Sequence, residues 1–78
     1  MSRIIDARGH RCPVPSLRLR RALEEAVPGQ IVTLLATDAL ARIDVPHMLA
    51  ETGDRLIEIE AEGVELRISV EKRGAPGG

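Results

Sequence analysis

Glycine and proline cut this chain of 78 residues into short pieces, and that punctuation restricts it to a small fold of alternating strands and helices. Arg3 to Ala7 (Arg-Ile-Ile-Asp-Ala) reads as a first strand, and Gly9 permits a turn into a loop around Cys12. Pro13 suits the first position of a helix, where a missing N–H costs nothing, and Pro15 still falls in the first turn. The helix is expected over Ser16–Val27, with Pro28-Gly29 as its stop. At about 100° per residue, Leu19, Ala22, Leu23, Ala26 and Val27 share the face that meets a sheet. Arg18, Arg21 and Glu25 point away, and Val14 and Leu17 also fall on the outer side near Cys12.

Gln30–Thr37 is a nearly continuous apolar run, rich enough in β-branched residues to read as a central strand. Thr37 or Asp38 caps a short turn. Asp44-Val45-Pro46 resembles a helix start, with Asp44 as the N-cap, so residues 39–52 are expected as a kinked helix or as one turn followed by a helix. Gly53 ends it in the left-handed conformation. Arg55–Ala61 and Val64–Lys72 alternate, with Ile57, Ile59 and Ala61 on one face and Val64, Leu66, Ile68 and Val70 likewise. A two-residue loop at Glu62-Gly63 makes them a hairpin. That register pairs Ala61 with Val64 and Ile59 with Leu66, and sets Glu58 opposite Arg67 and Glu60 opposite Glu65. The order β-α-β-α-β-β predicts a two-layer α/β (α+β) sandwich: a mixed four-stranded sheet, both helices on one face and the other face open. Residues 1–73 form one domain, and Gly74–Gly78 is expected to be a flexible tail.

A domain of this size buries only about 60% of the surface its unfolded chain exposes, so its stability is slender. Phe, Tyr and Trp are absent. That leaves no ring on which a nucleic-acid base can stack, and a net charge of −1 gives no general reason to bind a polyanion. The charge is unevenly placed. Residues 1–21 carry Arg3, Arg8, Arg11, Arg18, Arg20 and Arg21 against Asp6 alone, whereas residues 51–65 carry six acids against Arg55. A basic rim near Cys12 would steer an acidic partner toward it. A single cysteine cannot form an internal disulfide. No leader-like apolar segment opens the chain, and no apolar run approaches the roughly 20 residues that span a bilayer. The expectation is a soluble protein of a reducing cytoplasm, monomeric when free.

Cys12 stands where a helix begins. Partial positive charge at such an end favours an anion, so the thiol is expected to be exposed and to ionise easily. Free cysteine is also often a small buried hydrophobe, but Gly9, His10, Arg11 and two prolines make a polar, stiff surrounding. Pro13 and Pro15 remove two first-turn donors and leave the N–H groups of Val14 and Ser16 to face the sulfur. With no second cysteine, Cys12 lacks the resolving partner that a thiol oxidoreductase needs. His10 and His47 with scattered acids give no metal-ligand spacing. Asp6 and Asp38 are read as partners of backbone groups at element ends.

The string Asp6-x-x-Gly9-x-x-Cys12-Pro13-x-Pro15, then Pro28-Gly29, then Asp38 and Asp44-Val45-Pro46, resembles the TusA/SirA family of small sulfur-carrier proteins over about residues 3–73. The family usually has an aliphatic residue near His10. The resemblance implies the same β-α-β-α-β-β sandwich with its last strand antiparallel to the others. It also implies a relay protein of the sulfurtransferase type rather than a stand-alone enzyme. Cys12 would carry sulfane sulfur as a persulfide, supported by Pro13, Pro15 and Arg11, while Val14, Leu17, Arg18 and Arg21 would meet partners. The donor would be a cysteine desulfurase using pyridoxal phosphate, or another persulfide donor, and an acceptor protein would take the sulfur onward. The chain itself would need no cofactor and no metal, and would contact neither nucleic acid nor membrane. Three other readings compete: a ubiquitin-like carrier whose terminal Gly77-Gly78 forms a thiocarboxylate, a non-catalytic interaction or regulatory module, and a nucleic-acid-binding module, which the absent aromatics and the acidic hairpin make the weakest.

Overall fold

The structure, a computed structural model, describes residues 2–74, so that all of the expected tail except Gly74 lies outside the described residues. The elements follow in the order β1 (Ser2–Asp6), α1 (Val14–Glu25), β2 (Ile31–Ala36), α2 (Ala41–Thr52), β3 (Arg55–Glu62) and β4 (Glu65–Glu71). The sheet order is β1-β2-β4-β3. β1 and β2 are parallel, and β4 runs antiparallel to both β2 and β3. The expected mixed sheet, with its last strand reversed, is what forms. β4 fills the slot between β2 and β3.

β2 is central, as its apolar run predicts. Val32, Leu34 and Ala36 are buried on one face, while Ile31, Thr33 and Leu35 are half-covered on the other. Ile5 of β1 and Leu66, Ile68 and Val70 of β4 extend the buried face. Leu19, Ala22 and Leu23 from α1 and Ala41, Val45, Met48 and Leu49 from α2 join it in a single cluster, so both helices cover the same side of the sheet.

Three boundaries depart from the expectation. α1 starts at Val14 and stops at Glu25, two residues earlier at each end than predicted. Pro13 is the N-cap and Pro15 lies inside the first turn. At the other end Ala26 is extended, and the residue before Pro28 is biased out of the helical region. Val27 therefore leaves the apolar stripe and is 64% exposed. Val27 to Gln30 closes a tight turn, with Gly29 at φ 85° and Gln30 N donating to Val27 O at 3.0 Å.

α2 begins at Ala41, so Asp44 sits in its first turn rather than at its N-cap, and Pro46 lies inside the helix. The N-cap is Leu40, with no side-chain cap; Asp38 holds the short turn before it, as expected, its Oδ1 accepting from Leu40 N at 2.9 Å and its backbone carbonyl accepting from Ala41 N. Gly53, at φ 82°, ends the helix as predicted, its N–H donating to Leu49 O.

The hairpin loop is Gly63-Val64, one residue later than predicted, with Glu62 paired to Glu65. Only the first loop residue has a positive φ, the pattern that asks for glycine there, and Gly63 supplies it at φ 61°. The slip pairs Ala61 with Leu66, Ile59 with Ile68 and Glu60 with Arg67. Every inward residue of β4 stays inward because the displacement is even. Val64 alone changes role, from strand residue to loop tip, and is 78% exposed. A bulge between Leu56 and Glu58 turns Ile57 out of the predicted row, leaving it exposed.

Candidate functional site around Cys12

The cysteine loop leaves the carboxyl end of β1 and is tied to the loop after β2. Gly9, at φ 86°, donates its N–H to Thr37 Oγ1 at 2.9 Å. Cys12 N donates to Asp38 Oδ2 at 2.9 Å. His10 N reaches Ala7 O, and Val14 N reaches Arg11 O at 3.0 Å. Asp38 thus holds the cysteine with one carboxylate oxygen and the entry to α2 with the other. These two backbone bonds, the Leu40 one foremost, pull the Asp38 carboxyl below its ordinary range. The Cys12–Pro13 peptide bond is cis.

Asp6 supports the same loop from the strand end. Its carboxylate takes Arg8 Nε at 2.9 Å, Arg8 Nη2 at 2.8 Å and Arg8 N at 3.1 Å, which lowers its pKa to about 2. Asp6 and Asp38 both satisfy backbone groups, as their positions in the sequence predicted.

Cys12 itself is half-buried and packs against the edge of the core. This corrects the expectation of an exposed, readily ionised thiol. Burial pushes the Cys12 thiol up, the Ser16 hydroxyl beside it pulls down, and the Asp38 and Asp44 carboxylates push up further. The helix end gives less help than its position implies. Pro13 and Pro15 have no N–H, Val14 N is already bonded to Arg11 O, and Cys12 N is bonded to Asp38. The resting thiol is held as S–H.

The predicted partner-facing residues Val14, Leu17, Arg18 and Arg21 come together in one shallow depression on the outer face of α1. Val14 is 41% and Leu17 57% exposed. Arg18 also donates to Asp6 O at 2.8 Å, which ties it to the end of β1, whereas Arg21 is open to solvent beside Glu25. Arg11 lies on the other side of the cysteine, in a depression with His10, Thr37 and Asp38.

Four residues have places near the site that the sequence reading did not assign them. Arg20 lines a groove between the helices with Pro13, Ser16, Leu17 and Asp44. Leu40 and Ile43, at the start of α2, are 53% and 66% exposed. Ser16 brings its side-chain hydroxyl beside the sulfur. Helical angle is the signal that could have found Ser16, since it falls on the stripe of Leu19 and Leu23, but only the tertiary fold brings Asp44 and Asp38 to the same sulfur. Among the described residues, no group of three or more His, Cys, Asp or Glu side chains is arranged to hold a metal ion, and no helix is long and apolar enough to cross a membrane.

Comparison with known proteins matches residues 3–72 to the family described as Sulfurtransferase TusA. The sulfur carrier protein TusA of Allochromatium vinosum is 32% identical over 68 residues, 87% of this chain and 90% of that one. The protein of the same name from Pseudomonas aeruginosa is 34% identical over 59 residues, 76% of this chain and 75% of that one. Among solved structures, the SirA-like protein of Desulfitobacterium hafniense superimposes with a TM-score of 0.79 at 26% identity, covering 91% of this chain and 97% of that one.

Proposed function

The chain belongs to the TusA family of sulfur carriers, and we propose that it accepts sulfane sulfur as a persulfide on Cys12 and relays it to a second protein. The observation that carries this reading is the setting of the only cysteine: half-buried at the start of α1, with its loop pinned to the neighbouring loop and no second thiol in the chain.

The chemistry is an exchange. The Cys12 thiolate attacks the outer sulfur of a donor persulfide, and a new S–S bond forms to Cys12. The donor's S–S bond breaks, and its electron pair leaves with the donor sulfur, which takes up the proton that Cys12 lost. No net oxidation occurs. Onward transfer repeats the step, with the acceptor thiolate as nucleophile. Because the resting thiol is protonated, the first step follows deprotonation at docking. Val14 and Leu17 supply apolar contact there. Arg11, Arg20 and Arg21 supply positive charge, which suits an acidic rim on the partner.

The donor is a cysteine desulfurase of the pyridoxal-phosphate type or another persulfide donor. The acceptor belongs to tRNA thiolation, cofactor synthesis or sulfur metabolism. The carrier works in the cytoplasm, with no cofactor of its own. The test incubates the full chain with a cysteine desulfurase, pyridoxal phosphate and cysteine, followed by peptide mass spectrometry. The expected result is the mass of one added sulfur on Cys12, removed by reductant and absent from Cys12→Ser. Sulfur found on Gly78 instead would replace this reading with the thiocarboxylate one.

A further inference from the structure

Ser16 Oγ is the only buried side-chain oxygen or nitrogen among the described residues that meets no partner at full hydrogen-bond geometry. The residue is 6% exposed. It lies one helical turn after Cys12, on the stripe that Leu19 and Leu23 continue into the core, and its hydroxyl stands beside the Cys12 sulfur. Buried hydroxyl groups are normally bonded, and an exception beside a nucleophile calls for an explanation.

We propose that the Ser16 hydroxyl is the hydrogen-bond donor that receives the Cys12 sulfur when that sulfur is anionic, first as thiolate and, on the carrier reading above, then as persulfide. A protonated thiol is a weak acceptor and leaves the hydroxyl unengaged. A sulfur anion is a strong acceptor, and the hydroxyl needs only to rotate to meet it. The prolines make this donor matter. Pro13 and Pro15 contribute no N–H, and Val14 N is held by Arg11 O, so the amides that serve an anion at other helix ends are reduced here to that of Ser16, and the side chain of the same residue adds a second donor. The charged groups around the sulfur are Asp38 from the loop after β2, Asp44 from α2 and the adjoining Arg11. Both carboxylates oppose ionisation, and Ser16 on α1 answers them without bringing a charge into the site. The hydroxyl keeps its proton throughout.

The test compares the full-length wild type with Ser16→Ala, and Ser16→Thr with Ser16→Val. Within the second pair the shape is kept and only the hydroxyl is lost, so it serves if the alanine variant fails to fold. Iodoacetamide alkylation is followed against pH, with the thermal midpoint measured in parallel. The expected result is a curve displaced to higher pH, so that the rate at neutral pH falls about three- to tenfold in Ala relative to Ser and in Val relative to Thr. The midpoints within each pair should not fall. Superimposable curves within both pairs overturn the proposal, as does a rate loss that tracks loss of folding. Loading from inorganic polysulfide, read by mass spectrometry, should slow by the same factor. Wild type that takes up no sulfur on Cys12 would remove the carrier reading, while the alkylation comparison would still decide the role of Ser16.

Discussion

Leu19 and Leu17 are two positions apart on α1 and should respond in opposite ways to truncation. Leu19 has 0% exposure and anchors the helix to the sheet, whereas Leu17 is 57% exposed. Replacing a fully enclosed leucine with alanine costs roughly 2–5 kcal/mol, through lost transfer energy and the cavity left behind. At roughly 0.05–0.15 kcal/mol per residue, a domain of this length has about 4–12 kcal/mol in total, and a small core built without aromatic rings belongs at the lower end. A loss of about 3 kcal/mol in Leu19→Ala therefore removes a quarter or more of the whole and lowers Tm by roughly 12–24 °C, at about 4–8 °C per kcal/mol. Leu17→Ala should stay within about 0.5 kcal/mol of wild type. With neither Trp nor Tyr to report by fluorescence, the assay is urea and thermal unfolding followed by far-UV circular dichroism. In sulfur transfer the order reverses, with Leu17→Ala slowing exchange with a partner while remaining folded. Leu19→Ala within about 1 kcal/mol of wild type, or Leu17→Ala equally unstable, would refute the assignment of faces.

The alkylation rate of Cys12 should rise about tenfold per pH unit and reach no plateau below the ordinary thiol value of about 9, because burial and two carboxylates keep the proton on sulfur. Asp44→Asn should raise the rate at any fixed pH, and a plateau near neutrality in wild type would contradict the pKa assignment. Asp38→Ala removes the acceptor for both Cys12 N and Leu40 N, so hydrogen exchange at those two amides should accelerate more than in the rest of the loop; unchanged protection would show that the carboxylate does not hold the loop. Gly53→Ala forces a left-handed residue with a Cβ 3.0 Å from Arg73 Nη1 and should cost about 1–2 kcal/mol in urea unfolding, with Gly53→Asn recovering part of the loss.

The element order, the central place of β2 and the inward stripe of α1 were legible because they rest on local periodicity and on breakers at Pro28-Gly29 and Gly53. Boundaries were less so. Reading Gly63 as the second rather than the first loop residue moved the hairpin register, and Asp44-Val45-Pro46, which has the chemistry of a helix start, set Asp44 at the N-cap of a helix that begins at Ala41. At the site, Cys12 and the outer residues Val14, Leu17 and Arg21 could be found from helical angle alone. The state of the thiol could not. It depends on how far Cys12 sinks against the core and on two carboxylates that arrive from the loop after β2 and from α2. A helix-end rule weighs only the donors of α1, and here the prolines had already removed two of them.

β3 occupies the last place in the sheet, with one side of its backbone unmatched by any strand among the described residues. Its bulge near Ile57 interrupts the flat ribbon that a foreign strand would need, and Glu58, Glu60 and Glu62 crowd carboxylates along the rest. A second molecule approaching that margin meets repulsion before it can zip on. Edge-to-edge pairing is thereby discouraged at that margin, and approach is left to the basic end of the molecule, where Cys12 lies.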